Sequence, residues 1–100
     1  MLRGTTPTVT LILPVEVNLE GASVCYMSFG QGEEEIFSVP IGRITLDDNT
    51  ATALLTQQET LSLKEGFKTQ VQLRWVKEGI AYGTKILKVN TDAIIKEGVI

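Results

Sequence analysis

The sequence predicts an all-β domain, an antiparallel sandwich of about seven or eight short strands. Three observations carry the prediction. Apolar and polar residues alternate with a period of two, most cleanly over residues 68–77, where Val71, Leu73 and Trp75 oppose Gln70, Gln72 and Arg74. The alternating runs are short and are separated by turn residues, among them Gly30-Gln31-Gly32, Asp47-Asp48-Asn49 and Glu78-Gly79. The single departure from strand character is residues 56–60, where Thr56 followed by Glu59 forms a capping box: the Thr hydroxyl accepts a helical N–H and the Glu carboxylate reaches back to the cap's own N–H. That closes about one helical turn, suited to carrying the chain from one sheet to the other.

Taken in order, residues 1–7 are polar and aperiodic and read as an arm, with Pro7 biasing Thr6 towards extended geometry. A first strand follows over Thr8 to Leu13, with Val9, Leu11 and Leu13 on one face, and Pro14 ends it because proline cannot donate to a ladder. Residues 15–21 alternate Val15, Val17 and Leu19 with Glu16, Asn18 and Glu20, which fits either a short edge strand or an extended loop. From Ala22 to Phe29, Cys25, Met27 and Phe29 share one face and Val24, Tyr26 and Ser28 the other. The second set is apolar enough to suggest a central strand or a partly covered outer face.

Gly30 to Glu35 reads as a turn into a short strand, Ile36 to Val39, closed by Pro40 and Gly42. Residues 43–47 and 50–55 form a hairpin around Asp47-Asp48-Asn49, and the capping-box corner comes next. Lys64-Glu65-Gly66 turns the chain into the strand over 68–77, Glu78-Gly79 reverses it, and residues 80–90 return as one long strand in which Gly83 marks a bulge. Residues 91–100 read as a tail whose Ile94, Ile95, Val99 and Ile100 must pack on the body or on a neighbour.

The 100 residues, 43% of them hydrophobic, suit a single domain able to bury a modest core. A net charge of −3 with scattered basic residues argues against a nucleic-acid partner. No apolar run approaches the roughly 20 residues needed to cross a bilayer as a helix, and no basic-then-apolar secretory signal is present. The expected location is the cytoplasm, unless the chain leaves it as part of a particle.

Histidine is missing, which removes the commonest general base and metal ligand, and no Ser-His or Cys-His nucleophile can be built. Cys25 has no partner for a disulfide, and its apolar alternation marks it as a buried structural thiol. Glu33, Glu34, Glu35, Asp47 and Asp48 offer oxygen ligands of the kind calcium takes, but they lie in turns without the spacing of a calcium loop. Gly30-Gln31-Gly32 lacks the strand-to-helix setting of a phosphate loop. The chain is therefore expected to be non-enzymatic, with no cofactor and no metal. Trp75 is assigned to the core by its alternation with Val71 and Leu73 rather than to a sugar-stacking platform. If Val24, Tyr26 and Val76 share an outer face, they form an apolar patch suited to a protein partner. Ile94, Ile95 and Val99 join them as candidate interface residues.

The opening Arg3-Gly4-Thr5-Thr6-Pro7-Thr8, the strand ends Leu13-Pro14 and Phe29-Gly30-Gln31, the corner Leu55-Thr56-Gln57-Gln58-Glu59-Thr60-Leu61 and the strand Val71-Gln72-Leu73-Arg74 together resemble small proteins of similar length encoded in prophages of Firmicutes. In outline the chain is also similar to the N-terminal β-sandwich domains of phage baseplate upper proteins, without the long C-terminal extension that carries receptor binding. The resemblance implies a structural or assembly role in a phage-derived particle (tail, baseplate or head accessory) exercised through contacts with virion proteins or with its own copies. A carbohydrate-binding or adhesin-like module using Trp75 and a tyrosine, and an intracellular regulator of a host protein, are the alternatives.

The expected fold is thus a single immunoglobulin-like antiparallel β-sandwich spanning residues 1–100. Its expected core comprises Leu11, Leu13, Cys25, Met27, Phe29, Val39, Leu55, Leu61, Val71, Leu73, Trp75, Leu87 and Val89.

Overall fold

The computed structural model describes residues 1–90 and 99–100 of the chain. Among these, the strands are β1 (Thr8–Ile12), β2 (Val24–Gln31), β3 (Glu34–Pro40), β4 (Ile44–Asp47), β5 (Thr50–Leu54), β6 (Lys68–Lys77), β7 (Ile80–Gly83) and β8 (Leu87–Asn90), with one short helix, α1 (Gln57–Leu61), between β5 and β6. They form two antiparallel sheets. One has the order β1-β5-β4; the other has the order β3-β2-β6-β7, with β8 also paired to β6. The chain changes sheets after β1, after β3 and again across α1. This is the immunoglobulin-like arrangement, in which the B-E-D strands face a C′-C-F-G sheet. The position before the first of these strands, held by strand A in immunoglobulin domains, carries no strand among the described residues: residues 3–5 turn instead, with Gly4 at φ 73°.

Alternation decides what each strand buries. Leu11 from β1, Cys25, Met27 and Phe29 from β2, Val39 from β3, Ile44 from β4, Ala51 and Ala53 from β5, and Val71, Leu73 and Trp75 from β6 point between the sheets and form one cluster with Leu13, Leu19 and Leu55. Phe29 stacks on Phe37, their ring centroids 4.7 Å apart. The longest pairing is β2 with β6, where Cys25 lies opposite Trp75 and Met27 opposite Leu73.

Turn chemistry sets the registers. Gly32 and Glu33 both have positive φ, as do Glu78 and Gly79, the combination that closes a two-residue hairpin in step with strand twist. The turn after β2 therefore falls at Gly32-Glu33, and Gly30 and Gln31 belong to the strand. Gly30 is required there, because a Cβ on it would come within 2.7 Å of the Glu34 carbonyl oxygen. Opposite it the ladder shifts register, with Phe29 facing Phe37 and Gly30 facing Glu35, so Ile36 is the extra residue of a bulge.

Of the two readings of residues 15–21 the loop holds, and the segment folds back so that the Leu19 amide donates to the Asp48 carbonyl at 2.7 Å and Leu19 is fully buried. Three expectations need correction. The return strand after Glu78-Gly79 is broken in two. Gly83 faces Arg74 and Leu87 faces Val71, so three residues, 84–86, span the two positions of Gln72 and Leu73, which makes one extra residue immediately after Gly83. Thr84 holds this bulge: its amide donates to the Leu73 carbonyl, its hydroxyl accepts from the Leu73 amide, and its carbonyl accepts from the Gln72 side chain. Leu87, expected in the core, is 52% exposed, because β8 is an edge strand beside an open seam lined by Leu11, Ile12, Leu13 and Pro14. Leu61 is only partly buried, at the last position of α1, while Leu63 just beyond it is buried. The Val89 side chain lies outside what is described.

The corner at residues 56–61 has the predicted capping box: Glu59 N–H donates to Thr56 Oγ1 at 3.1 Å and Thr56 N–H donates to Glu59 Oε1 at 2.9 Å. It also gathers distant parts of the chain. Arg43, at the end of the short 3-10 turn Ile41–Arg43, makes a two-pronged pair with Glu59 at 2.7 and 2.8 Å and donates to the Leu54 carbonyl. Arg3 donates to the Leu61 and Leu63 carbonyls at the far end of α1, and the buried Thr60 hydroxyl donates to the Thr5 carbonyl at 2.8 Å. The arm is thereby tied to the body. Ile100 is held by the Gln57 side chain through its amide and carbonyl.

Candidate functional site

Period two places the residues between the inward ones on the opposite face of β2 and β6, and register brings them into rows. Val24 lies opposite Val76, and Val76 opposite Ala81 of β7, giving an apolar row across three strands. The next row runs Pro40, Tyr26, Arg74 and Gly83. Beyond it Ser38, Ser28 and Gln72 make a polar row. Val24, Tyr26 and Val76 therefore share one outer face, as the sequence suggested they would if β2 and β6 were neighbours. Val24 and Tyr26 are 41% and 45% exposed.

These side chains line a groove of about 420 Å³, with Glu35 and Arg74 contributing charges of opposite sign. The face combines an apolar strip, one Tyr and one Arg, and a polar margin. The outer face of the other sheet differs. There Thr10, Thr52 and Thr45 form a row, with the Thr10 and Thr52 hydroxyl oxygens 3.5 Å apart, and Ile12 and Leu54 stand exposed beside them.

The remaining candidates fall elsewhere. Val99 lines a separate groove beside α1 with Leu54, Thr56 and Gln57. Ile94 and Ile95 lie outside the described residues. Trp75 is 7% exposed and stacks on Tyr82 at 5.5 Å between centroids with planes 16° apart, so its ring is packed rather than presented. Tyr82 is the half-exposed member of that pair. Cys25 is fully buried, and loss of hydration pushes its thiol pKa up to about 11, which keeps it protonated at neutral pH. Glu33, Glu34, Glu35, Asp47 and Asp48 are exposed around the hairpin turns. Among the described residues, no three acidic or Cys side chains are grouped so that they could hold a metal ion.

Ala81, Pro40, Glu35 and Arg74 complete the outer-face site and were not singled out by the sequence reading. The signal for Ala81 was present: a two-residue hairpin at Glu78-Gly79 puts Lys77 opposite Ile80 and hence Val76 opposite Ala81. Pro40 carries no such signal, because the bulge at Ile36 resets its register relative to the turn, while Glu35, on the turn side of the bulge, is set opposite Gly30 by the Gly32-Glu33 turn and reads from the sequence as part of the turn itself.

Compared with known proteins, the chain matches no family model, no curated protein and no solved structure.

Proposed function

We propose that this protein is a non-enzymatic structural or assembly component of a phage or prophage-derived particle, acting through the outer face of the β3-β2-β6-β7 sheet. The observation that supports a contact role is the apolar row of exposed Val24, half-buried Val76 and exposed Ala81 beside Tyr26 and Arg74, on a face that an isolated sandwich would ordinarily keep polar. The particle context rests on the sequence resemblance. On this reading the chain is synthesised in the host cytoplasm and carried into the particle by a virion protein that covers the patch.

Mass spectrometry of purified particles from an induced host carrying the gene tests the role. The expected result is the chain present in particles, with Val76→Lys lowering its incorporation while the purified variant keeps its fold. Persistent absence from particles rejects the role. The carbohydrate-binding alternative, built on Trp75 and a tyrosine, would rest on the half-exposed Tyr82 and Tyr26, since the Trp75 ring is packed against Tyr82.

A further inference from the structure

We infer that the edge of β1 that no described strand covers pairs with β1 of a second copy of this chain, joining two sandwiches through a continuous six-stranded sheet. The observation is the direction of the backbone groups along β1. Leu55 N–H donates to the Pro7 carbonyl and Leu13 N–H to the Asn49 carbonyl, which fixes the parity of the β1–β5 ladder. In an antiparallel pair hydrogen-bonded and non-hydrogen-bonded residues alternate, so Val9, Leu11 and Leu13 turn their amides and carbonyls to β5. Thr8, Thr10 and Ile12 turn theirs the other way, where no described strand lies. These outward groups call for an extended strand as their partner.

The other edges are guarded and this one is not. β3 carries Glu34 and Glu35, a bulge at Ile36 and a terminal Pro40. β4 has four residues, ends in Asp47 and follows Arg43. β7 and β8 are short and interrupted by the bulge after Gly83, with Lys85 and Lys88 beside it. β1 reads Thr-Val-Thr-Leu-Ile, with no charge, no proline and no bulge.

Two features fit a second copy as the occupant. A two-fold axis at Thr10 is compatible with antiparallel self-pairing, setting Thr10 against Thr10 and Thr8 against Ile12 with every outward N–H facing a carbonyl. No charge lies on the strand, so self-pairing opposes no like charges, as pairing β3 with itself would. The outer face also gains. Ile12, 78% exposed, would stand beside Thr8 of the other copy, itself opposite the exposed Leu54. The sheet order becomes β4-β5-β1-β1-β5-β4, and the two Val24/Tyr26/Val76 patches stay free. The inference rests on the β1 edge alone and is independent of any particle role.

Analytical ultracentrifugation of the full chain over a range of concentrations, with amide exchange followed by NMR at the two extremes, tests it. The expected result is a concentration-dependent dimer. Val9 and Leu11 amides should be protected at all concentrations, and Thr10 and Ile12 amides only in the dimer. Thr10→Pro removes an outward N–H that β5 does not use, a change edge strands tolerate. If that variant fails to fold, Ile12→Lys places a charge at the pairing edge and should weaken association roughly tenfold or more. A chain that stays monomeric at its highest soluble concentration overturns the inference. So does a dimer indifferent to both substitutions with Thr10 exchanging freely, or one that Tyr26→Ala dissociates and Ile12→Lys does not.

Discussion

The two faces of the β2–β6 pair are built from the same strands, one residue out of step, and they meet opposite fates. The inner face carries Cys25, Met27, Phe29, Val71, Leu73 and Trp75, all buried against the other sheet. The outer face begins just as apolar, with Val24, Tyr26 and Val76, yet Val24 and Tyr26 stay 41% and 45% exposed. The difference lies in what stands opposite. Burial removes apolar area from water only where a second layer exists, at roughly 25 cal/mol per Å², and the domain supplies that layer to one face. The outer face keeps its apolar side chains with no second layer over them, so their share in domain stability is limited to cross-strand pairing such as Val24 with Val76.

Three substitutions would break or sharpen that contrast. Trp75→Ala on the inner face should destabilise the domain by about 3–5 kcal/mol in urea unfolding, since it empties a packed site and leaves Tyr82 without its stacking partner. A loss within about 0.5 kcal/mol would mean the inner face is not core at that end.

A smaller effect is expected at the corner, which supports both faces from the end of the sandwich. The Arg43 guanidinium, bound to both Glu59 oxygens, holds the Glu59 carboxyl below the usual carboxylate range, and the Thr56 amide adds to this. Because the folded-state value is lowered, the stabilisation is fully present above the unfolded value of about 4.3 and is lost as pH falls through the folded one. Arg43 is partly exposed, so the pair is worth roughly 1 kcal/mol. Glu59→Gln should therefore destabilise the protein near neutral pH and bring its stability close to wild type in acid. An equal gap at both pH values would show that the capping geometry, and not the charge, carries the effect.

The smallest change in stability is expected for Tyr26→Ala on the outer face, within about 0.5 kcal/mol of wild type by the same unfolding measurement. A loss above about 2 kcal/mol would assign Tyr26 to the fold and remove the distinction between the faces.

Much of this contrast is legible in the sequence because strand alternation is strict where two long strands pair. The inner residues of β2 and β6, the hairpin at Glu78-Gly79 and the capping box at Thr56 and Glu59 all follow from local spacing. The core members that local spacing does not reveal are held by long-range bonds. Leu19 is drawn in by the Asp48 carbonyl, 29 residues away, and no periodicity over residues 15–21 distinguishes it from Val15, which is exposed. Thr60 is polar by composition and buried because its hydroxyl has the Thr5 carbonyl to bond. Leu87 fails in the opposite sense: alternation places it correctly on the core side, opposite Val71, but alternation does not say that β8 is an edge. The same holds for the candidate site. The pattern identifies Val24, Tyr26 and Val76 as apolar and outward, and carries no information on what covers them.

The β2–β6 pairing also sets how the chain reaches its fold. Cys25 and Trp75, directly opposite each other, are about 50 residues apart in sequence, and the strands between them belong partly to the other sheet. Closing that loop costs chain entropy before the core contacts reward it, and topologies dominated by such distant pairings fold in milliseconds to seconds rather than microseconds. The two-residue turns at Gly32-Glu33 and Glu78-Gly79 can form hairpins locally, but even joined through β2 and β6 they have no buried face until the β1-β5-β4 sheet covers them.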